Sequence, residues 1–307
     1  MTWFFFALIG PLLYAMTNLI DKIILDKYLK NDNRSVGTIL LFSAAFSAFA
    51  LPFFFFADKT IFAVGGLQIF ILAIVGILNA LVLLFYLIAI KDEEASIVVV
   101  FYQLVPVIGS ILSYFIIGEI LTKMQIIAMF IVILGTTIIS FEVDAESKFR
   151  LRKKTILPML VAAFCWALGS VLFKLVALEE NVWRSLFWEH LMLAVIGISI
   201  FVFMRSYRSY FLSVIRNNSK VIVSLSFLNE ALYVSGNVII ALAYMLAPLG
   251  LVLLTESFQP IFVLAIGIFL TIFFPKILKE KVKAKHLLQK IIAICITGIG
   301  TYLLLMG

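Results

Sequence analysis

Acidic and amide side chains placed deep in apolar segments are the residues of this 307-residue chain best suited to chemistry. Glu230 lies about ten residues, or roughly 15 Å, into an apolar segment. Tyr233 and Asn237 follow at i+3 and i+7 and so share one helical face with it. We expect Glu230 to bind a cationic group, to exchange a proton, or to do both. The alternative is a hydrogen bond that merely locks two helices together.

Two prolines interrupt other apolar segments, and each closely follows polar side chains. The two sets are Tyr102, Gln103 and Pro106, and Glu256, Gln259 and Pro260. A proline cannot donate to the carbonyl four residues earlier, so each helix should open there. Opened helices with polar side chains inside a membrane often form binding sites. We expect these residues to bind a ligand or couple its binding to protons, unless the prolines only permit closer packing.

Tyr14, Trp166 and Asn79 add aromatic and amide groups to the same set of segments. Aromatic faces near a carboxylate suit an amine, although ordinary packing is the alternative in a chain that is 14% aromatic. Lys22 and Lys174 stand near segment ends, where they gate a path, bind an anionic group, or extend to lipid headgroups.

Glu189 and His190 follow Trp188 near the start of another apolar segment. A histidine can shuttle protons near neutral pH. A tryptophan at that depth is more typical of the interfacial aromatic belt. We therefore expect this group at a membrane interface, with proton exchange as the alternative.

Composition places these residues in a membrane protein. Hydrophobic residues make up 64% of the chain and charged residues 13%, against roughly 45–50% and about 25% in soluble proteins. A spanning helix needs about 20 apolar residues. Ten such segments are predicted, at 2–20, 36–57, 67–90, 95–117, 124–141, 156–178, 185–204, 221–245, 248–273 and 287–306.

A basic linker, 142–155, divides the chain into a first half, 1–141, and a second half, 156–307. A shift of 152 residues superposes Lys22 on Lys174 and the Ala89/Ala95 pair on Ala241/Ala247. Each half holds an odd number of segments, so the second half should enter the bilayer from the opposite side. The predicted fold is all-α and integral to the membrane, with ten transmembrane helices as a 5+5 inverted repeat.

Positive charge predicts the orientation. The even-numbered loops hold Lys59, Lys123 and Arg184, whereas the remaining loop lysines and arginines lie in odd-numbered loops. The positive-inside rule then places linker 142–155 in the cytoplasm and both termini outside.

These features resemble the drug/metabolite transporter superfamily and its EamA-like ten-span members. The resemblance rests on the segments Tyr14–Asn18 and Trp166–Ser170, the two alanine pairs, Pro106 and Pro260, and Gly118–Glu119. It implies a secondary transporter that works by alternating access around a central cavity. It also implies cytoplasmic termini, which conflicts with the charge count, and it does not specify a substrate.

We therefore expect a transporter for a small polar organic solute, such as an amine, an amino acid or a related metabolite, in a bacterial or archaeal plasma membrane. Transport is proton-coupled or facilitative, and the protein is a monomer or homodimer. Its partners are the small-molecule substrate, membrane lipid and protons, with no nucleic acid. The alternatives are a flippase or exporter of lipid-linked sugars or drugs, and an intramembrane lipid-phosphate enzyme.

No phosphate-binding loop, metal-ligand spacing or nucleophile–base pattern occurs in the sequence. We expect no catalytic residues, metal or cofactor.

Overall fold

The computed structural model describes residues 2–29, 33–118, 122–143, 149–151, 153–247, 249–275, 278 and 284–306. Almost all of these residues are helical. The helices are α1 (Thr2–Ile23), α2 (Asn33–Ala57), α3 (Gly66–Lys91), α4 (Ala95–Val98), α5 (Leu104–Ile116), α6 (Lys123–Ser140), α7 (Lys153–Glu179), α8 (Val182–Phe203), α9 (Arg205–Leu246), α10 (Leu249–Thr255), α11 (Gln259–Phe273) and α12 (Ala284–Met306). A π-helical turn, Ile24–Tyr28, continues α1.

Each predicted apolar segment coincides with one helix or one interrupted helix. Among the described residues, eight segments are long and apolar enough to cross a membrane. The prediction of an all-helical membrane protein is therefore confirmed. Crossing by α6 and α12, and with it the count of ten spans, stays a prediction.

Two spanning segments change from α-helix to 3₁₀ helix in their first half. The 3₁₀ segment Val99–Gln103 joins α4 to α5, and Glu256–Phe258 joins α10 to α11. Pro106 and Pro260 follow within the first turn of α5 and α11. The missing N–H of each proline explains the change, because the carbonyl four residues earlier loses its α-helical donor.

Helices from the two halves of the chain pack against each other. α1 packs on α9, α3 on α7, α2 on α8, and α6 on α12. Gly135 allows α6 and α12 to approach closely. A Cβ at this position would lie 3.0 Å from the amide nitrogen of Thr297 and 3.1 Å from the carbonyl oxygen of Ala293. Small residues commonly allow such approach between membrane helices.

The predicted linker 142–155 contains regular structure. β1 (Phe141–Val143) pairs antiparallel with β2 (Phe149–Leu151), and α7 begins at Lys153. Residues 144–148 and 152 of the linker lie outside the described residues.

The predicted segment 221–245 is only part of a longer helix. α9 has 42 residues and so extends about 63 Å, twice the roughly 30 Å of a hydrocarbon core. Its apolar portion is Lys220–Leu246. The preceding part carries Arg205 and Arg216, which are exposed, and Arg208, which is partly exposed. Periodicity alone did not reveal that the helix starts this early.

Arg184 ties the α2–α3 loop to the beginning of α8. Its Nε lies 3.2 Å from Asp58 Oδ2, and its Nη2 donates to Thr60 Oγ1 at 2.7 Å. The Trp188 indole donates to the carbonyl oxygen of Ile61 at 2.8 Å. Hydrogen bonds from the Thr60 hydroxyl and amide, together with Arg184, lower the pKa of Asp58 from its ordinary value. This end of the bundle is therefore held by an ion pair and two loop hydrogen bonds.

Candidate substrate site

A cavity of about 90 Å³ lies between α1, α3, α7, α8 and α9. One water molecule needs about 10–15 Å³ on this scale, so there is room for several waters or a small organic ligand. The wall is aromatic and polar, with further apolar residues. Its aromatic and polar lining residues are Tyr14, Thr17, Asn18, Asp21, Asn79, Tyr86, Tyr102, Trp166, Ser170, Phe173, Glu189, Tyr233, Asn237, Tyr244 and Gln259.

Glu189 provides a carboxylate where three helices meet. It is 2% exposed, and its Oε1 accepts from Asn79 Nδ2 of α3 at 2.6 Å and from Asn237 Nδ2 of α9 at 3.2 Å. The sequence placed Glu189 at an interface, and the structure instead places it in the cavity wall. The reason is that α8 begins at Val182, so Glu189 lies two turns inside the helix.

The two neighbours of Glu189 do not line the cavity. His190 is fully buried, and its Nδ1 is 2.9 Å from the carbonyl oxygen of Leu186. Trp188 bonds to the α2–α3 loop as described above. This contact agrees with the expected location of Trp188 near one end of the bundle. The His190 ring packs against the ring of Phe54.

Asp21 provides a second carboxylate, 4% exposed, near the end of α1. Its Oδ2 accepts from the Tyr86 hydroxyl at 3.2 Å, and its Oδ1 accepts from Asn229 Nδ2 at 2.8 Å. Asn18 donates to the Tyr86 hydroxyl at 2.8 Å and accepts from Gln259 Nε2. One continuous hydrogen-bonded chain therefore joins α1, α3, α9 and α11.

Most of the candidates expected from the sequence converge on this cavity. Those that line it are Tyr14, Asn79, Tyr102, Trp166, Tyr233, Asn237 and Gln259. Four of their rings form one aromatic wall. The Tyr14 ring centroid lies 6.0 Å from that of Trp166 and 5.6 Å from that of Tyr233, and Tyr102 meets Trp166 edge-on at 4.7 Å.

Glu230 lines a smaller pocket of about 30 Å³ that adjoins the cavity. Asp21, Asn229, Tyr233 and Ser43 line the same pocket, and Asp21 and Tyr233 belong to both. The predicted stripe of Glu230, Tyr233 and Asn237 on α9 thus extends across two neighbouring spaces.

Glu256 and Gln103 lie at the two 3₁₀ segments, outside the cavity lining, and each is 1% exposed. Within the described part of the chain, neither carboxylate oxygen of Glu256 and neither amide atom of Gln103 has a hydrogen-bond partner. Burying an unpaired polar group is costly, so a packing role alone does not account for Glu256.

Lys22 and Lys174 bind helix ends. Lys22 Nζ donates to the carbonyl oxygen of Ile90 at 3.1 Å and pairs with Asp26 at 3.1 Å. Lys174 Nζ donates to the carbonyl oxygen of Ala247 at 3.0 Å. Cations are favourable at the negative ends of helix dipoles. These contacts stabilise the ends of α3 and α9, and a gating role remains a prediction.

Sequence reasoning did not select Asp21 and Glu189, the two acids of the main cavity. Asparagine side-chain amide groups could have pointed to these acids. Asn18, Asn79 and Asn237 stand in apolar segments, where each needs a hydrogen-bond partner. A search for acidic residues able to accept hydrogen bonds from such amides would have identified both Asp21 and Glu189 as candidates.

The cavity has an acidic character. Its two ionisable lining residues other than tyrosine are Asp21 and Glu189, and no lysine, arginine or histidine lines it among the residues that the structure describes. Within those residues, no cluster of three or more histidine, cysteine, aspartate or glutamate side chains could hold a metal ion.

Comparison with known proteins supports a transporter. A solved crystal structure of another protein is similar over 98% of this chain and 96% of that chain, with 13% sequence identity and a TM-score of 0.57. At that identity the likeness concerns the fold alone. A search of curated proteins gave no match. Residues 1–141 match the model of the EamA-like transporter family, which confirms the resemblance found in the sequence over the first half of this membrane protein.

Proposed function

We propose that this chain is a secondary transporter that moves a small organic amine across a membrane by alternating access. The observation that carries the proposal is the cavity wall, which presents two buried carboxylates and no basic side chain among the described residues. The match of residues 1–141 to a transporter family supports the general class.

The two carboxylates favour a cation because of how they are solvated. A carboxylate removed from water is unfavourable unless charge or hydrogen bonds compensate it. Glu189 has two amide donors, and Asp21 has a hydroxyl and an amide donor. These neutral groups leave a negative charge that an ammonium group would neutralise.

The aromatic wall suits the same ligand. Five tyrosines, Trp166 and Phe173 line the cavity, and a cation above an aromatic face gains about 0.5–2 kcal/mol. An amino acid also carries an ammonium group, but its carboxylate would find no cation among the described lining residues. We therefore favour an amine over an amino acid.

Glu230 is proposed as the coupling residue. It shares the smaller pocket with Asp21, so two carboxyl groups face one space of about 30 Å³. A proton bound there competes with a cationic substrate for the same negative charge, which would couple amine transport to a proton gradient. Glu256 is a second candidate for this role because its oxygens have no hydrogen-bond partner among the described residues.

A ten-span 5+5 inverted repeat is proposed as the architecture, with 1–141 and 156–307 as its halves. Supporting it, α1 with α9 and α3 with α7 form matching contacts between equivalent helices. Both prolines follow 3₁₀ segments, and Lys22 and Lys174 bind helix ends alike. An experimental structure whose halves do not superpose about an axis in the membrane plane would end this proposal.

For orientation, we propose that linker 142–155 faces the cytoplasm. A cysteine at Ser147 in a variant without Cys165 and Cys295 should resist an impermeant thiol reagent in intact cells. Labelling without permeabilisation would reverse the proposal and favour cytoplasmic termini.

The function is tested by flux. At an imposed pH gradient, proteoliposomes that contain the purified protein should take up radiolabelled n-butylamine faster than protein-free vesicles, through which the neutral amine diffuses unaided. An amine transporter would be refuted if proteoliposomes and protein-free vesicles took up the amine at equal rates. The thermal transition of the protein must first show that it is folded.

A further inference from the structure

We propose that the substrate is a diamine, bound with one ammonium group at Asp21 and the other at Glu189. This inference rests on the proposed function and specifies its substrate class. It comes from the arrangement of the two carboxylates, which are held in the same way by the same two helices.

Each carboxylate accepts one hydrogen bond from α3 and one from α9. The donor pairs are Tyr86 and Asn229 for Asp21, and Asn79 and Asn237 for Glu189. The acids themselves come from different helices, α1 and α8. Their positions along the bundle are therefore fixed by α3 and α9.

The spacing of the donors gives the spacing of the acids. Asn79 and Tyr86 are seven residues apart on α3, which corresponds to about 10.5 Å of helix rise. Asn229 and Asn237 are eight residues apart on α9, or about 12 Å. Two helices that run in opposite directions give nearly the same separation, so the two carboxylates lie about 10–12 Å apart along the bundle.

That separation defines the length of the ligand. An ammonium nitrogen lies about 2.8 Å from the carboxylate oxygen it binds, which leaves roughly 5–6.5 Å between the two nitrogens. An extended chain of single bonds advances about 1.25 Å per bond. Diamines with three or four carbon atoms between their nitrogens match this distance, at about 5.0 and 6.25 Å.

The wall between the acids has the chemistry that a methylene chain needs. On α3, Val82 and Leu83 stand between Asn79 and Tyr86, and both line the cavity. On α9, Tyr233 lies between the two asparagines and also lines it. The cavity is therefore polar at two positions and apolar or aromatic between them.

Unused acceptors strengthen the assignment at the Asp21 end. Within the described residues, the side-chain oxygens of Gln259 and Asn229 have no hydrogen-bond donor, and these residues are 1% and 4% exposed. Gln259 lines the cavity, and Asn229 lines the adjoining pocket beside Asp21. An ammonium group brings three donors, enough for the carboxylate and additional acceptors.

The test is a binding series with the purified full-length protein. Affinities would be measured by calorimetry for α,ω-diamines with two to eight carbons and for the monoamine of equal length in each case. We expect the four-carbon diamine to bind roughly 10- to 150-fold more tightly than n-butylamine, because it forms a second charge-assisted hydrogen bond. Affinity should fall for the two-carbon and eight-carbon diamines.

Asp21→Asn supplies the matched variant, because it retains the shape and removes one charge. It should bind the four-carbon diamine no more tightly than n-butylamine, so the preference for the diamine should disappear. A preference that survives Asp21→Asn would overturn the assignment. Equal affinity of wild type for diamines and monoamines would refute the diamine and leave an amine transporter standing. If neither is bound by folded protein, both proposals fail.

Discussion

Replacing Glu189 by Gln is the sharpest test of the acidic cavity. Glutamine has nearly the same shape and retains an oxygen that can accept from Asn79 and Asn237, while the negative charge is lost. A hydrogen bond to a charged partner contributes about 1.5–3 kcal/mol, and each 1.4 kcal/mol is tenfold in affinity. The dissociation constant for the four-carbon diamine should therefore rise roughly 10- to 150-fold, because one of its two ammonium groups loses its charged partner. The measurement is calorimetry on protein in detergent.

The control for this experiment is Glu179→Gln. Glu179 is exposed at the end of α7, accepts from Gln68 at 3.2 Å, and does not line the cavity. Amine affinity should be the same as in wild type. If Glu189→Gln binds the amine as tightly as wild type but melts at a lower temperature, Glu189 only joins α3, α8 and α9, and the reasoning is wrong.

Three other variants test separate parts of the molecule. Glu230→Gln should leave a folded protein whose amine uptake no longer responds to a pH gradient; an unchanged response would transfer the coupling role elsewhere. The lowered pKa of Asp58 means that its bonds to Thr60 and Arg184 stabilise the fold fully above pH of about 4 and are lost as the pH falls through the lowered pKa. Asp58→Asn should thus lower stability by less than about 1 kcal/mol at pH 7 and flatten the acid side of the melting-temperature profile, whereas a profile parallel to wild type would exclude this role. Gly135→Val should lower the melting temperature by separating α6 from α12, a cost of about 1–3 kcal/mol for overpacking; unchanged stability would show that the two helices tolerate a wider spacing.

The helices were predictable because hydrocarbon imposes a strong constraint. Every backbone group in a bilayer must be satisfied within the protein, so an apolar run of about 20 residues becomes a helix. The ten predicted segments accordingly agree with helices to within a few residues at most ends. α9 is the exception, because its first turns are amphipathic and basic, and hydropathy detects only apolar length.

The candidate site was predictable only in part, because its residues are far apart along the chain. Tyr233 and Asn237 were found by spacing within one helix. Asp21 and Glu189 accept hydrogen bonds from residues on other helices. One of these donors, Asn229, is 208 positions from Asp21. One sequence does not determine which faces of α1, α3, α8 and α9 meet, so the acids could only be judged by their depth. Depth was misleading for Glu189 because the start of α8 was placed three residues too late.

Under the proposed function, substrate binding and proton binding would meet at one residue, Asp21. Asp21 lines both the cavity and the small pocket that Glu230 lines, whereas Glu189 lines the cavity but not the pocket. An ammonium group at Asp21 neutralises the charge that Glu230 faces, and a proton on Glu230 or Asp21 weakens the attraction for that ammonium group. Competition at one end of the cavity requires no long-range structural signal. A ligand held at both ends would then lose its Asp21 contact first and remain attached at Glu189, so proton binding would set the order in which the two ends are released.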